Sequence, residues 1–310
     1  MSEAIVPDSE ARGLLARLPT RPRALAQLAR LDRPIGWWLL FWPCAWGLAL
    51  SGAPSDSWWL LAWLLVGSIV MRGAGCVLND IVDRDLDARV ERTRSRPLPA
   101  GTVSLRTAWI WLAVLLAIGM IVWLRIGWPA RLLALATLPV VAAYPYMKRI
   151  TWWPQAFLGI VFGSGAVVGF AAAAGIMFDA QADYVPLHRA MWLLYGGTIL
   201  WVIGYDTIYA LQDKEDDALA GIKSSARAMG ARVRSGVGLF YLGAVIFWSL
   251  AFWQIRPHAL GLLALAPIAA HLLWQVATLK EDGIDPLVKF RSNRFAGLLM
   301  FLACLVVGTA

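Results

Sequence analysis

Apolar runs, each about 20 residues long and separated by short polar loops, make up most of the chain. A run of that length is what an α-helix needs to cross the hydrocarbon core of a bilayer. The pattern therefore predicts an all-α membrane protein with about nine transmembrane helices. The predicted spans are 36–53, 57–79, 107–125, 128–147, 153–177, 190–211, 235–254, 258–278 and 294–310.

The fifth predicted span is unusually rich in glycine and alanine. Small residues let helices approach closely in lipid, where apolar burial gives helices no advantage over lipid contact. The same residues could instead make room for a lipid chain. We expect close helix packing in this span.

The basic residues indicate how the spans are oriented. Of the 28 Lys and Arg residues, 23 lie in the N-terminal segment and in alternate loops, and four lie in the remaining loops. By the positive-inside rule the N-terminus is cytoplasmic, and nine spans then put the C-terminus outside. We expect residues 1–30 to be a cytoplasmic tail, either on the membrane surface or disordered, and residues 31–310 to be a single transmembrane domain.

Composition supports the membrane class and argues against a soluble domain. The chain has 310 residues, of which 59% are hydrophobic and 15% charged, and its mean hydropathy is +0.62. A net charge of +8 could indicate a nucleic-acid partner, but the basic residues lie in short loops between apolar runs. Membrane orientation explains them better, so we expect contact with membrane lipid and no nucleic acid.

An acidic stretch follows the second predicted span directly. If that span continues as a helix, Asn79, Asp83 and Asp87 lie on one face, because they are spaced by four residues. Carboxylates at this spacing repel one another, whereas a divalent cation such as Mg²⁺ would hold them together. The alternative is a solvated loop whose acids are balanced by neighbouring arginines.

A second acidic stretch repeats the pattern at the end of the sixth predicted span. Here Tyr209, Asp213 and Asp217 have the same four-residue spacing, and Asp206 precedes them. The charge rule places both stretches on the cytoplasmic face. Either stretch alone is a weak signal, but two acid-rich helix ends behind two spans favour a metal site.

Basic and tyrosyl residues accompany the acids and change the prediction from a cation site to a diphosphate site. Arg72 lies two turns before Asn79, at membrane depth, where an arginine needs a partner or a polar cavity; a structural ion pair with an aspartate would also satisfy it. Pyrophosphate would use Mg²⁺ together with Lys or Arg, whereas a pure cation site would not. The other accompanying residues are Arg92, Arg96, Tyr144, Lys148, Arg149 and Lys223.

A diphosphate at a membrane surface implies a lipid tail among the helices, as in a prenyl diphosphate. Ionisation of an allylic diphosphate leaves a carbocation and a pyrophosphate anion, which Mg²⁺ and cationic side chains stabilise. The carbocation needs a dry pocket with aromatic faces. The many Trp, Tyr and Phe residues could line it, although membrane anchoring explains most of them.

With these motifs the chain resembles the UbiA superfamily of intramembrane prenyltransferases, and within it the bacterial 4-hydroxybenzoate branch of ubiquinone biosynthesis. The resemblance runs from about residue 29 to the C-terminus. The first acidic motif is typical of the superfamily, and the second motif with its tail is typical of the branch. The motifs are RLDRPIG (30–36), MRGAGCVLNDIVDRDLD (71–87), RTRSRPLPAG (92–101), YPYMKR (144–149), YDTIYALQDKEDD (205–217) and GIKSSA (221–226).

The resemblance implies a fold of nine transmembrane helices around a central cavity that opens to lipid, capped by loops 80–106 and 212–234. It implies transfer of a polyprenyl group from polyprenyl diphosphate to carbon 3 of 4-hydroxybenzoate, in a bacterial inner membrane, with two Mg²⁺ ions. The implied metal ligands are Asn79, Asp80, Asp83 and Asp87 for one ion, and Asp213 and Asp217, assisted by Asp206, for the other.

The resemblance also implies roles for the remaining residues. The implied diphosphate contacts are Arg72, Lys148 and Lys223, with Arg92 and Arg96, while Tyr144 and Tyr209 orient phosphate or metal-bound water. Arg149 or Arg33 could pair with the benzoate carboxylate, although both could simply follow the positive-inside rule. Asp206 is the candidate for the group that takes the phenol or ring proton.

Three alternatives remain. Another branch of the same superfamily would use homogentisate, dihydroxynaphthoate or haem as the acceptor. A Mg²⁺ transporter or channel would explain the acids but not the accompanying Lys and Arg. A CDP-alcohol phosphotransferase would need a different pattern of acids with interleaved Gly and Ala-Arg.

Overall fold

The computed structural model describes residues 15–52, 57–88, 93–174, 185–219 and 221–308, apart from the side chains of residues 16, 216, 217 and 219. This part of the chain is helical, and none of its residues lies in a β-strand. The α-helices are α1 (Thr20–Leu28), α2 (Ile35–Leu50), α3 (Leu60–Asp87), α4 (Leu105–Arg125), α5 (Trp128–Ile150), α6 (Pro154–Ala174), α7 (Val185–Ala210), α8 (Lys214–Leu219), α9 (Ser225–Met229), α10 (Val233–Ile255), α11 (Ala259–Leu263), α12 (Ala266–Thr278) and α13 (Asp285–Gly308).

Each predicted span overlaps one of these helices or, for 258–278, the pair α11 and α12. Seven segments within the described ranges are long and apolar enough to cross a membrane, and α2 is a shorter apolar helix. The predicted all-α membrane class is thereby confirmed, with the count of nine as an approximation. The largest differences between predicted spans and observed helices are at helix ends. The helix α3 continues past the predicted span to Asp87, and α13 begins before its predicted span, at Asp285.

The chain divides into two compact units, and the first comprises the residues up to Trp38 together with Leu65–Leu124. Its apolar core is formed by side chains of α1, α3, α4 and the loop before α4. Leu28 of α1 is completely buried there, and the indole of Trp111 donates a hydrogen bond to the carbonyl oxygen of Leu25 at 3.1 Å. The end of the predicted tail is thus a helix packed in this unit.

The second unit comprises Leu39–Leu64 and the chain from Arg125 onward. Three tryptophans lie at its centre: Trp46 is 4.9 Å from Trp201 and 5.6 Å from Trp248 between ring centroids, and all three are fully buried. The indole N–H of Trp46 donates to a backbone carbonyl oxygen of α13, so its polar atom is satisfied in the core.

Glycines of α6 bring it into close contact with α2 and α7. A Cβ added at Gly169 would lie 2.0 Å from the carbonyl oxygen of Cys44, and one at Gly165 would lie 2.8 Å from the sulfur of the same residue. On the opposite side, a Cβ at Gly159 would lie 3.0 Å from the Ile199 carbonyl oxygen. The expectation of close packing in this span is confirmed, since any larger residue would separate these helices.

Buried polar side chains join four helices of the second unit. Asn293 of α13 accepts a hydrogen bond from the indole of Trp201 at 2.9 Å and donates to Gln275 of α12 at 3.4 Å. The hydroxyl of Tyr241 on α10 donates to the same oxygen of Gln275 at 2.8 Å. Because each group has a partner, this set ties α7, α10, α12 and α13 together without leaving a buried polar atom unsatisfied.

Candidate active site

The first acidic motif forms the last turns of α3. The helix runs without a break from the apolar span into the motif, so Asn79, Asp83 and Asp87 share one face, as predicted. Asp83 is completely buried and Asp87 is 6% exposed. Carboxylates buried to this degree require positive charge close by, and a solvated loop does not account for them.

Two arginines supply positive charge to this helix end. Arg30, in the turn between α1 and α2, donates through one nitrogen to both carboxylate oxygens of Asp80, at 2.7 and 3.0 Å. Arg96, in the loop after α3, donates to Asp87 at 2.7 Å and lies 3.4 Å from Asp80. Burial disfavours the charged guanidinium of Arg30, but Asp80 and neighbouring carboxylates outweigh that effect and raise its pKa above the ordinary value.

Arg72 lies on α3 two turns before the motif, where the sequence predicted it. Its guanidinium donates to the sulfur of Cys76, one turn further along the helix. A Cβ at Gly36 would lie 2.8 Å from the Nε atom of Arg72. Glycine at the start of α2 therefore leaves the space that the guanidinium occupies.

Two further predicted site residues, Arg33 and Arg92, lie before α2 and after α3 in the sequence. Arg33 is partly buried, and its Nε atom lies 3.7 Å from a carboxylate oxygen of Asp32. Arg92 lies outside the described residues.

In the second unit, the end of α5 meets the segment that follows α8. The backbone N–H of Lys223 donates to the carbonyl oxygen of Lys148 at 3.0 Å, and the Lys223 ammonium donates to that of Ile150 at 3.0 Å. The backbones of two predicted diphosphate-binding lysines, which are far apart in the sequence, thus lie side by side. Tyr144 is one turn before Lys148 on α5 and is half-buried, and Arg149 is exposed.

The second acidic motif is not one continuous helix. Asp206 and Tyr209 lie in the last two turns of α7, which ends at Ala210 and passes into a 3₁₀ turn that contains Asp213. Asp217 follows in α8, and its side chain is outside the described set. The four-residue spacing therefore does not place these residues on a straight helical face. A 3₁₀ turn advances the chain by three residues per turn and rotates the later side chains.

Three residues that the sequence analysis did not single out anchor the segment around Lys223. The backbone N–H of Ser225 donates to the side-chain oxygen of Gln155 on α6 at 3.0 Å. Its hydroxyl shares a hydrogen bond of 2.6 Å with that of Thr207, the residue after Asp206. Ser225 stands in the GIKSSA motif and could have been found there, whereas Gln155 lies in an apolar run and carries no local signal.

The donor atoms around both motifs fit Mg²⁺, which prefers carboxylate, carbonyl and phosphate oxygens. Within the described ranges, no three His, Cys, Asp or Glu side chains converge on one point as a complete protein-made site. Mg²⁺ is usually held by one or two carboxylates together with substrate phosphates, so a partial set of ligands is compatible with this ion.

The fold and the two acid-rich helix ends, each accompanied by basic residues, define a helical membrane protein whose polar groups suit a metal ion and phosphate oxygens. The UbiA prenyltransferase family model matches residues 40–306, and the chain belongs to this family. The family predicted from the sequence is confirmed.

Relatives of known name and structure support the same assignment. A mitochondrial protein of Aedes aegypti named 4-hydroxybenzoate polyprenyltransferase is 41% identical over 308 residues, which is 97% of this chain and 66% of the relative, slightly less than two thirds of its length. The apo structure of a UbiA homologue from Aeropyrum pernix is 26% identical, with a TM-score of 0.67 over 87% of this chain and 97% of that one. A UbiA homologue from Archaeoglobus fulgidus, solved with GPP and Mg²⁺, is 19% identical with a TM-score of 0.64 over 93% of this chain and 100% of that one, and shows the fold alone.

Proposed function

We propose that the chain transfers a polyprenyl group from polyprenyl diphosphate to carbon 3 of 4-hydroxybenzoate and releases pyrophosphate, as a step of ubiquinone biosynthesis. The observation that carries the proposal is the 41% identity, over 97% of the chain, to a protein named for this reaction. The enzyme is a 4-hydroxybenzoate polyprenyltransferase of the UbiA family, the activity that the motifs of the sequence predict.

Mg²⁺ is the proposed metal, with two ions per active site. The Archaeoglobus homologue was solved with this ion and a prenyl diphosphate, and the acids of this chain are oxygen donors of the kind it prefers. We assign Asn79, Asp83 and Asp87 to one ion, and Asp213 and Asp217 to the other. When bound, Mg²⁺ neutralises negative charge on the departing diphosphate.

Basic residues of the chain complete the binding of the diphosphate. The adjacent Lys148 and Lys223 offer two ammonium groups, and Arg72 offers a guanidinium at membrane depth. Charge-assisted hydrogen bonds from such groups are about twice as strong as neutral ones, and they strengthen as charge develops on the leaving oxygen. We assign Tyr144 and Tyr209 to orienting phosphate oxygens or water, and Arg92 and Arg96 to supporting contacts.

The acceptor needs a cation for its carboxylate and a base for its proton. Arg149 and Arg33 are the candidates for the first, and Asp206 is the candidate for the second. Asp206→Asn should lower turnover about 10²- to 10⁴-fold, the usual contribution of a general base, and leave the Mg²⁺ concentration for half-maximal activity unchanged. Glu215→Gln, which removes an exposed acid of the same stretch, should have no effect. Unchanged turnover of Asp206→Asn would exclude this residue as the base.

We propose a bacterial inner membrane as the location, with the N-terminus and both acidic stretches on the cytoplasmic side. The support is the distribution of Lys and Arg, 23 of 28 of which lie in alternate loops and the N-terminal segment. The Aedes relative is named as mitochondrial. Cysteine labelling of single-cysteine variants in intact cells tests the orientation, and labelling of residues 93–104 from outside would reverse it.

The proposed reaction is tested with the purified protein in detergent, geranyl diphosphate, 4-hydroxybenzoate and Mg²⁺. Mass spectrometry should detect the 3-geranylated acid, and EDTA should abolish it. Product with homogentisate, dihydroxynaphthoate or haem, but not with 4-hydroxybenzoate, would keep the family chemistry and reject the acceptor. Absence of product with every acceptor, together with Mg²⁺ flux in proteoliposomes, would favour a transporter instead.

A further inference from the structure

The geometry points to Arg30 and Asp80 as a positioning pair that fixes the metal-binding end of α3, and to Asp80 as an anchor and not as a metal ligand. This assignment rests on the proposed metal site of the preceding subsection. It separates Asp80 from Asn79, Asp83 and Asp87, with which the sequence pattern groups it.

Both carboxylate oxygens of Asp80 are already engaged by arginine side chains. One nitrogen of Arg30 donates to them at 2.7 and 3.0 Å, and Arg96 lies 3.4 Å from one of them. The Asp80 side chain is 1% exposed, and the two arginine side chains are 10% and 16% exposed. A Mg²⁺ ion at these oxygens would have to approach two guanidinium groups across a largely desolvated space.

Arg30 has a backbone conformation that is unusual for a residue with a side chain. Among the described residues it is the single non-glycine with a positive φ, at 56°. Its N–H donates to Gln27 at 3.0 Å, and that of Leu31 donates to Ala26 at 2.9 Å, which is the Schellman ending of a helix. Glycine is the usual residue at this position because it adopts positive φ without strain. The turn itself does not favour arginine at this position, so we attribute the arginine to the contact of its side chain with Asp80.

Asp80 lies at one edge of the acidic face of α3. At about 100° per residue, Asp80 lies about 100° from Asn79 and about 20° from Asp87. Arg96 reaches both carboxylates on that side of the helix, since it donates to Asp87 at 2.7 Å. Arg30 and Arg96 thus hold two acids at one edge of the acidic face, and Asp83 lies between that edge and Asn79. Arg96 orients the ligating carboxylate of Asp87, and Arg30 with Asp80 fixes the helix turn beside it; contacts of this kind affect metal affinity although they do not touch the metal.

The test compares Arg30→Gly and Asp80→Asn with Asp83→Asn in the full-length protein. Mn²⁺ is titrated in the presence of the unreactive analogue geranyl S-thiolodiphosphate and followed by electron paramagnetic resonance. We expect Arg30→Gly and Asp80→Asn each to weaken Mn²⁺ binding about 10- to 100-fold, as the loss of groups that support metal ligands does, and Asp83→Asn to abolish it. The double variant should bind no more weakly than the weaker single variant, because the two residues act as one unit.

Further variants separate positioning from folding. Arg30→Gly suits the helix ending but leaves the buried Asp80 carboxylate without its main partner, so its thermal unfolding temperature should fall. The double variant with Asp80→Asn, which has no such carboxylate, should recover much of that loss, and saturating Mg²⁺ should restore kcat in both. Arg30→Lys should recover part of the affinity. Arg21→Ala, which removes an exposed arginine of α1, should change nothing.

Several results would overturn the assignment. If Asp80→Asn loses Mn²⁺ binding as completely as Asp83→Asn does, Asp80 is a metal ligand. Arg30→Gly with wild-type affinity would reduce Arg30 to a helix-ending residue. A wild type that binds no Mn²⁺ would reject the pair's role outright, whereas one that binds Mn²⁺ but forms no prenylated product would reject the proposed reaction and leave this assignment standing.

Discussion

Asp83→Asn should abolish prenyl transfer while the protein remains folded. Asp83 is the central acid of the first motif, is completely buried, and lies between the edge held by two arginines and Asn79. The amide has the same size but lacks the charge that attracts Mg²⁺. Because a metal ion contributes several kcal/mol to stabilising developing charge, we expect kcat/KM to fall by about 10³-fold or more.

The folding of this variant should be preserved, since replacing one of three buried carboxylates by a neutral amide relieves repulsion with Asp80 and Asp87. The product assay with geranyl diphosphate and thermal unfolding in detergent measure the two effects separately. Asp85→Asn is the matched control. It removes the same charge two residues after Asp83, but the Asp85 side chain is 80% exposed. Asp83→Asn with more than a tenth of wild-type activity would contradict its place among the metal ligands.

Gly169→Ala should prevent stable packing of α6 against α2. The added Cβ would lie 2.0 Å from the carbonyl oxygen of Cys44 and 2.7 Å from its carbonyl carbon. These are backbone atoms, so no side-chain rotation relieves the overlap and one helix must move. Overpacking costs about 1–3 kcal/mol where side chains can adjust, and we expect about 3 kcal/mol here, beyond the gain of about 1 kcal/mol from alanine's helix propensity.

The matched control for this prediction is Gly238→Ala on α10, in the same unit. The nearest atom to its added Cβ is a methyl carbon of Val276 at 3.4 Å, an ordinary contact. This variant should be neutral or slightly more stable, because alanine favours the helix. Thermal unfolding in detergent and the yield of monodisperse protein measure the stability of both variants. Equal stability of the two variants would show that the α6–α2 contact tolerates a methyl group.

The positions of the helices could be predicted well because the membrane imposes one rule on every span. Each must satisfy its backbone hydrogen bonds internally and present about 20 apolar residues to lipid. The predicted span 107–125 differs from α4 by two residues at its start, and 128–147 differs from α5 by three at its end. The same rule explains why the predicted start of α13 was too late, since the first turns of this helix contain polar residues and do not look like a membrane span.

Two of those polar residues, Lys289 and Asn293, are buried by tertiary contacts that the hydrophobic pattern does not report. Lys289 is 4% exposed, donates to the hydroxyl of Thr278 at 2.6 Å, and lies over the ring of Trp274 at 3.7 Å. In the sequence, a charged residue before an apolar run indicates a loop. The predicted span therefore began at residue 294, whereas the helix begins at Asp285. In the second acidic motif, the spacing of Tyr209, Asp213 and Asp217 gave no sign of the 3₁₀ turn that follows α7.

By itself, the sequence determined the membrane class, the approximate span positions, the family and the set of chemically capable residues. These follow from apolar run length and from local spacing, which act over a few turns of one helix. Tertiary structure alone decided which partner each buried charge has: Arg30 reaches Asp80 from 50 positions away, and Ser225 meets Gln155 from 70. Such pairs depend on how helices pack, and packing in lipid is set by small residues and polar contacts that leave no periodic signal.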